Sequence, residues 1–370
     1  MSQGKFEKKS VAQRHAGQEP ETTPVQQPRK PKHRHTGKKI AVVLLSILLV
    51  ILLCIAVAAD YVLGRLGRFE DPSDDETPVV EEFDVDSTIE GQETIETQDA
   101  SDVTFESVEE LISEDVVNIM LIGQDARPGE GRSRSDTMLL ITMNPPKNAI
   151  QMTSFMRDTD VQIPGYRDNR LNVAYRFGGT ELMNETFKKN FGIEIDGNVM
   201  VNFEEFAGII DLLGGVDMEL SAEEVGYMNR SGCSTREGLN HLNGEDALTY
   251  VRMRKVSGGD YGRTERQRKV IGALIESFRS ATLPEILNLV DELLPKVVTS
   301  VSGTDILRYA TTGASLLANG AEIQTMRIPA DDAHHGAMID GMSVLVPNLG
   351  MCREDLDEFI YQAAADATEP

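Results

Sequence analysis

The chain has 370 residues, with 36 Lys or Arg against 60 Asp or Glu and a formal net charge of −24. So acidic a balance speaks against nucleic acid as a partner, because such binding runs through clustered positive surface. None of the three cysteines stands in a Cys/His spacing that suits zinc, and His334-His335 alone is a weak metal signal.

The charge is unevenly placed. Residues 1–39 hold ten Lys or Arg and three Glu among scattered Pro and Gln, and predict a basic, disordered leader. From Ile40 to Ala59 no residue is charged, and ~20 apolar residues suffice to cross a bilayer as a helix. A transmembrane helix is therefore predicted within 40–63. A signal peptide cleaved near the small residues Ala56–Ala59 is the alternative. Basic flanks stay inside, so the leader is placed in the cytoplasm and the rest of the chain outside. Anionic lipid beside the span is the nearest target for the leader. Residues 64–113 are acidic with little apolar periodicity and predict an extracytoplasmic stalk. The folded domain is expected over 114–366.

That domain opens with a buried strand, Val116–Gly123, followed by a polar loop carrying Asp125, Arg127, Arg132 and Arg134. Asp136 leads into a second strand, Thr137–Met143, and a third, Ala149–Met156, runs out into Arg157-Asp158. Consecutive strands usually neighbour one another, so an up-down-up order brings Asp125, Asp136 and Arg157 to one end of the sheet. A helix is expected from Thr180, a strand at Val199–Val201, and a helix striped by Phe203, Phe206, Ile209, Ile210 and Leu213. Such stripes are ordinary core or the wall of a lipid tunnel; periodicity does not separate the two. Gly238–Leu248 predicts a turn and a short helix, in which His241 is a candidate base, although a lone turn histidine more often bonds locally. Further helices are expected at Leu283–Val297, Thr304–Ala318 and Glu354–Ala365, with edge strands at Ile323–Ile328 and Ser343–Val346.

Tyr250–Gln267 is the densest positive stretch in this acidic chain. Tyr250, Val251 and Met253 alternate with Arg252 and Arg254, as in a strand whose two guanidinium groups share a face. Gly258-Gly259 then turns the chain into a helix on which Arg263 and Gln267 lie four apart, on one face. Planar forks of donors suit phosphate or carboxylate. The plain alternative is a solvated helix start whose arginines pair with nearby acids. Two carboxylates, Asp125 and Asp136, beside such arginines can hold a hard cation such as Mg²⁺ (or Mn²⁺) against substrate phosphates. Cys233 and Cys352 are the pair outside the span, and an oxidising compartment makes a disulfide between them an expectation.

These stretches taken together resemble the LytR–CpsA–Psr family of bacterial envelope proteins. The likeness runs over Asn118–Arg127 (NIMLIGQDAR), Arg134–Thr137 (RSDT), Phe155–Thr159 (FMRDT) and Arg170–Gly179 (RLNVAYRFGG). It continues through Phe203–Asp217, Gly238–Arg254 and Asp260–Gln267 (DYGRTERQ). The chain departs from the family pattern in Gln124, where Ser is frequent, in Met156, where Pro is, and in Arg170, where Lys is. The resemblance implies a three-layer α/β/α sandwich with a central mixed sheet. It also implies transfer of a glycopolymer from a polyprenyl-pyrophosphate carrier to a peptidoglycan hydroxyl at the outer face of the bacterial plasma membrane. Carried over by position, Asp125 and Asp136 match the acids tied to Mg²⁺ and catalysis, with Asp136 favoured as base. Arg157, Arg252, Arg254, Arg263 and Gln267 match the pyrophosphate-binding set, with Arg127, Arg134, Asp158 and Arg176 as neighbours. Teichoic acid, capsule and arabinogalactan all stand open as the polymer. Two rival functions are a hydrolase of the same pyrophosphate and a non-catalytic envelope sensor or transcription attenuator, although the leader lacks a DNA-binding helix pair.

Overall fold

A computed structural model describes residues 96–97, 103, 110–111, 113, 115–124 and 133–362. The basic leader, the apolar run Ile40–Ala59 and the start of the stalk lie outside the described residues, as do Asp125 and Arg127. Among the described residues no helix is long and apolar enough to cross a membrane.

The chain order is β1 (Glu96–Thr97), β2 (Val117–Gln124), β3 (Ser135–Asn144), β4 (Ala149–Phe155), β5 (Asp160–Val161) and β6 (Asn169–Arg170), then α1 (Val173–Phe191), β7 (Gly197–Asn202) and α2 (Phe203–Leu212). Next come β8 (Val216–Leu220), α3 (Ala222–Arg230), β9 (Gly238–Leu242), α4 (Gly244–Val251), α5 (Gly259–Ser277) and α6 (Leu283–Leu293). The last stretch holds β10 (Val298–Thr299), α7 (Gly303–Ala318), β11 (Glu322–Ile328), β12 (His334–Ile339), β13 (Met342–Pro347) and α8 (Leu349–Leu356), which runs on as a π-helical turn, Asp357–Tyr361.

Six strands make the central sheet in the order β10-β7-β2-β3-β4-β11. β2, β3 and β4 run antiparallel in sequence, while β7 and β11 add parallel to β2 and β4, so the sheet is mixed. Its two faces follow from the period of two along each strand. Met120, Ile122, Met138, Leu140 and Phe155 bury against Tyr175, Phe187 and Phe191 of α1 and against Cys352 and Leu356 of α8. On the other face Ile150 packs with Leu316 and Leu317 of α7 and with Ile275 of α5, and Val117 with Tyr309 of α7. Helices on both sides of one sheet make the three-layer sandwich. A second cluster joins Ile210 of α2, Met218 of β8, Met228 of α3, Tyr250 of α4 and Val270 of α5, and builds the flank that carries the arginines.

Several expectations need correction. The stalk is not structureless throughout: Glu96–Thr97 pairs in parallel with Ala337 and Met338 of β12, and the Leu111 N–H donates to the Gly192 carbonyl at 2.7 Å. The edge of the small β12–β13 sheet offers unpaired backbone groups, which the passing chain satisfies. Cys233 and Cys352 are both free thiols. They belong to different cores, Cys352 buried beneath α1 and Cys233 packed against the second cluster. Burial pushes the Cys352 thiol up to about 12 and the Cys233 thiol to about 11, so both stay protonated and unreactive.

Tyr250–Arg254 is not a strand either. Helix α4 runs through Val251, because the Asn243 side chain caps it by accepting from the Asp246 N–H at 2.9 Å, and Glu245 and Asp246 favour its positive end. Ala247, Tyr250 and Val251 then bury at helical spacing. The expected helix from Thr180 proves to be the regular part of α1, which bends at Gly178-Gly179, where Gly179 has φ 64°.

Asp160 gives a stability prediction. Burial, with the charges of Asp168 and Asp340, pushes its carboxyl up to about 7 from 3.8. Between those two values the folded state holds the extra proton, so stability falls as pH rises and the full cost stands above about pH 7. Asp160→Asn is expected to stabilise the domain by ~2–4 kcal/mol at pH 8, with the gain fading as pH falls toward 4. Denaturant titrations of both proteins at several pH values read this directly. A gain independent of pH refutes it.

Candidate active site

The sheet delivers one end of β3 and β4 to a common place. Asp136 enters at the start of β3, and Arg157 follows β4, whose strand runs antiparallel to β3. The up-down-up expectation therefore holds for this pair. Arg157 Nη1 donates to Asp136 Oδ1 at 2.8 Å, and its Nε lies 3.4 Å from Asp158 and 3.8 Å from Asp260. Burial alone would raise the Asp136 carboxyl, but the charge and hydrogen bond of Arg157, aided by Arg263 and Arg254, hold it below the usual carboxylate range. Burial works against the Arg157 charge too, and Asp158, Asp260 and Asp136 outweigh it, so the guanidinium stays charged. Both partners are therefore ionised at neutral pH.

Helix α5 brings the next two groups. Gly258 (φ 91°) and Gly259 (φ 52°) take the left-handed turn that other residues resist, so the helix starts abruptly after the arginine loop. Arg263 is 3% exposed and donates from Nη2 to Asp260 at 2.9 Å. Its Nε and Nη1 are buried without a partner among the described residues. Burial, together with the neighbouring charges of Arg157 and Arg254, pushes Arg263 down to about 10 against the pull of Asp260. Two unmet donors on a buried cation are costly unless an anion completes them. One turn on, Gln267 Nε2 donates to Thr137 Oγ1 at 2.9 Å.

Arg252 ends α4 as its C-cap and places its guanidinium 4.2 Å over the ring of Phe203, the first residue of α2. Arg254 lies in the following loop, 43% exposed, with Nη2 3.6 Å from Asp136 Oδ2. That separation is beyond a direct hydrogen bond.

These residues line one cavity of about 1370 Å³. Its polar end carries Arg134, Asp136, Arg157, Arg176, Arg252, Arg254, Arg263 and Gln267, the expected set apart from Asp158, which pairs with Arg157 and Arg170 off the lining, and the two residues outside the described region. The rest of its lining is largely apolar, with Leu121, Leu139 and Val201 from the sheet, Phe206 and Ile209 from α2, Leu248 from α4, and Ile271 and Leu274 from α5, and with Asn202, Glu245 and Thr249 among the polar exceptions. The stripe on α2 is thus cavity wall as well as core. Lys255 also lines the polar end and Asp260 ties Arg263 to Arg157, and neither stood among the expected site residues. Asp260 carried a readable signal, an acid three residues before an arginine on one helix.

His241 is elsewhere. Its exposed ring bonds Asp217 through Nδ1 at 2.7 Å and the Gly214 carbonyl through Nε2 at 2.8 Å, a local clasp across β8–β9. Among the described residues no three of His, Cys, Asp or Glu gather to hold a metal ion. Asp136 by itself fits the part of a single carboxylate ligand that a magnesium ion takes beside substrate phosphates, being ionised and set at the cavity wall.

The model of the LytR_cpsA_psr family matches residues 83–357. A relative from Bacillus mycoides, named polyisoprenyl-teichoic acid–peptidoglycan teichoic acid transferase TagU, is 34% identical over 218 residues, 58% of this chain and 69% of its own. Across the first three such relatives, all of that name, the match spans 57–72% of their length. Among solved structures, Bacillus subtilis TagV superposes with a TM-score of 0.54 at 28% identity, over 67% of this chain and 98% of its own. Bacillus subtilis TagT, solved with bound octaprenyl pyrophosphate lipid, shares the fold with a TM-score of 0.53 at 22% identity, over 69% of this chain and 95% of its own.

Proposed function

The chain belongs to the LytR–CpsA–Psr family, and from that premise we propose that it transfers an anionic glycopolymer from a polyprenyl-pyrophosphate carrier to peptidoglycan. One observation carries this reading: a single cavity joins an arginine-lined end to an apolar wall. A diphosphate with a long hydrocarbon tail is the ligand chemistry that matches both halves. The names of its relatives make teichoic acid the first polymer to try.

Arg157, Arg252, Arg254, Arg263 and Gln267 hold the diphosphate, with Arg134 and Arg176 beside them and Arg127 adjacent in sequence. Phosphoryl transfer leaves a protein mainly the tasks of positioning and neutralising charge, which guanidinium groups perform well. The acceptor hydroxyl oxygen bonds to the phosphorus on the glycan side. The bond from that phosphorus to the bridging oxygen breaks, and polyprenyl phosphate leaves with the electron pair. Asp136, its carboxyl held low by Arg157, suits the holding of charge better than the taking of a proton. The hydroxyl proton is then left to Asp125 or to solvent. A magnesium ion held by Asp136 and Asp125 would add positive charge beside the phosphates. A transmembrane helix within 40–63, built on the apolar run Ile40–Ala59, anchors the protein in the bacterial membrane, with the domain outside.

The test is product analysis by mass spectrometry, with a lipid-linked donor and purified, detergent-solubilised protein. With peptidoglycan oligosaccharide present, a glycan–phosphate–peptidoglycan adduct is expected, and excess chelator is expected to suppress it. Free glycan phosphate as the sole product, with or without acceptor, would make the protein a pyrophosphate hydrolase instead.

A further inference from the structure

The geometry points to Arg266 and Glu224 as positioning residues that set the arginine loop for the diphosphate. Neither lines the cavity. Arg266 is 4% exposed and donates from Nη2 to the Met253 carbonyl at 2.7 Å. Met253 is fully buried and stands between Arg252 and Arg254, so that this hydrogen bond fixes the Met253–Arg254 peptide, from which Arg254 departs two residues after Arg252. On its other side Arg266 Nη1 lies 3.8 Å from Glu224 Oε1.

Glu224 is itself held. It is the third residue of α3, and its Oε2 accepts from the Ser221 N–H and hydroxyl, both at 2.9 Å, closing a capping box. The neighbouring Glu223 accepts from the Ser257 N–H at 3.0 Å, near the far end of the same loop. The first turn of α3 therefore grips the loop twice, once directly and once through Arg266. Gly262 completes the fit, because a Cβ there would stand 2.6 Å from the Ser257 carbonyl and 3.2 Å from Arg266 Nη1.

A buried pair of this kind contributes little net stability, since desolvation offsets the attraction. What it does fix is direction. A planar fork reaches Met253 and Glu224 together, which a lysine ammonium does not. Met253 and Val256 stay packed in the second core, so loss of the strut changes how the peptide between the arginines is set without opening the core.

This inference rests on the diphosphate reading above, and the experiment separates the two. Binding of geranylgeranyl pyrophosphate and of geranylgeraniol, which lacks the diphosphate, is measured on detergent-solubilised full-length protein. Wild type is expected to bind the pyrophosphate far more tightly; equal binding of the two would sink the functional reading itself. The double variant E224Q/R266M keeps the capping box and leaves no unpaired buried charge. It is expected to melt within a few degrees of wild type and to lose 10-fold or more in affinity for the pyrophosphate, with geranylgeraniol unaffected. R266K, which keeps the charge, gives the same readout should the double variant not fold. Unchanged pyrophosphate affinity, or equal loss for both ligands, overturns the positioning role.

Discussion

Replacing Arg254 by Ala is expected to leave the domain folded and to lower kcat/KM for transfer by about 10² to 10³. Its side chain is 43% exposed and its ion pair with Asp136 is long, at 3.6 Å, so truncation leaves no buried charge alone. What goes is a donor at the polar end of the cavity, where the phosphoryl charge has to be met. Arg157→Ala is the instructive contrast. That guanidinium, with 17% of its side chain exposed, sits among Asp136, Asp158 and Asp260, and its removal leaves three carboxylates to repel one another. Breaking such a buried set by removing one partner costs ~3–5 kcal/mol, so lost activity there reports the fold as much as the chemistry. Parallel melting curves distinguish the two variants. An Arg254→Ala protein with wild-type turnover would remove this residue from the diphosphate's grip.

Much of this was readable from the chain alone, and the reasons differ by element. The three strands before Arg157 declare themselves because each is a short apolar run bounded by Gly, Asn-Pro or charge, and sequential antiparallel pairing leaves one order to consider. Their shared end, and hence the meeting of Asp136 with Arg157, follows from that order. Tyr250–Arg254 misleads because five alternating residues fit a strand and the last turn of a helix equally well. The deciding signal lay upstream, in Asn243 followed by Glu245 and Asp246. Arg263 was placed on the right helix face by spacing, but its buried, unmet nitrogens depend on how α5 lies against β3 and β4, which no local pattern records. The separation of Cys233 from Cys352 is likewise a property of two cores, and counting cysteines does not reveal it. The cavity was the least legible feature. Phe206 and Ile209 carry the same stripe whether they close on a partner or on a ligand, and the space between them is set by elements far apart in sequence.

Filling that space should separate tail recognition from headgroup recognition. Gln267, Ile271 and Leu274 line the cavity from one face of α5, so the helix leads from the polar end into the apolar wall. Ile271 stands one turn past Gln267, ~6 Å along the axis, where the first part of a hydrocarbon tail would lie beyond its diphosphate. Ile271→Trp puts a large ring into open cavity, without the overpacking that a filled core would suffer. Displacing a single five-carbon unit forfeits up to about 4 kcal/mol at ~0.8 kcal/mol per buried CH₂; with the unit half buried, about 2 kcal/mol remains, a ~30-fold loss of affinity. Geranylgeranyl pyrophosphate is therefore expected to bind ~30-fold more weakly to the variant. Inorganic pyrophosphate, which has the headgroup and no tail, is expected to bind as it does to wild type. If both ligands weaken together, the ring has disturbed the arginines rather than the apolar wall. If neither weakens, the tail lies along some other surface and the apolar wall serves only to hold α2, α4 and α5 on the sheet.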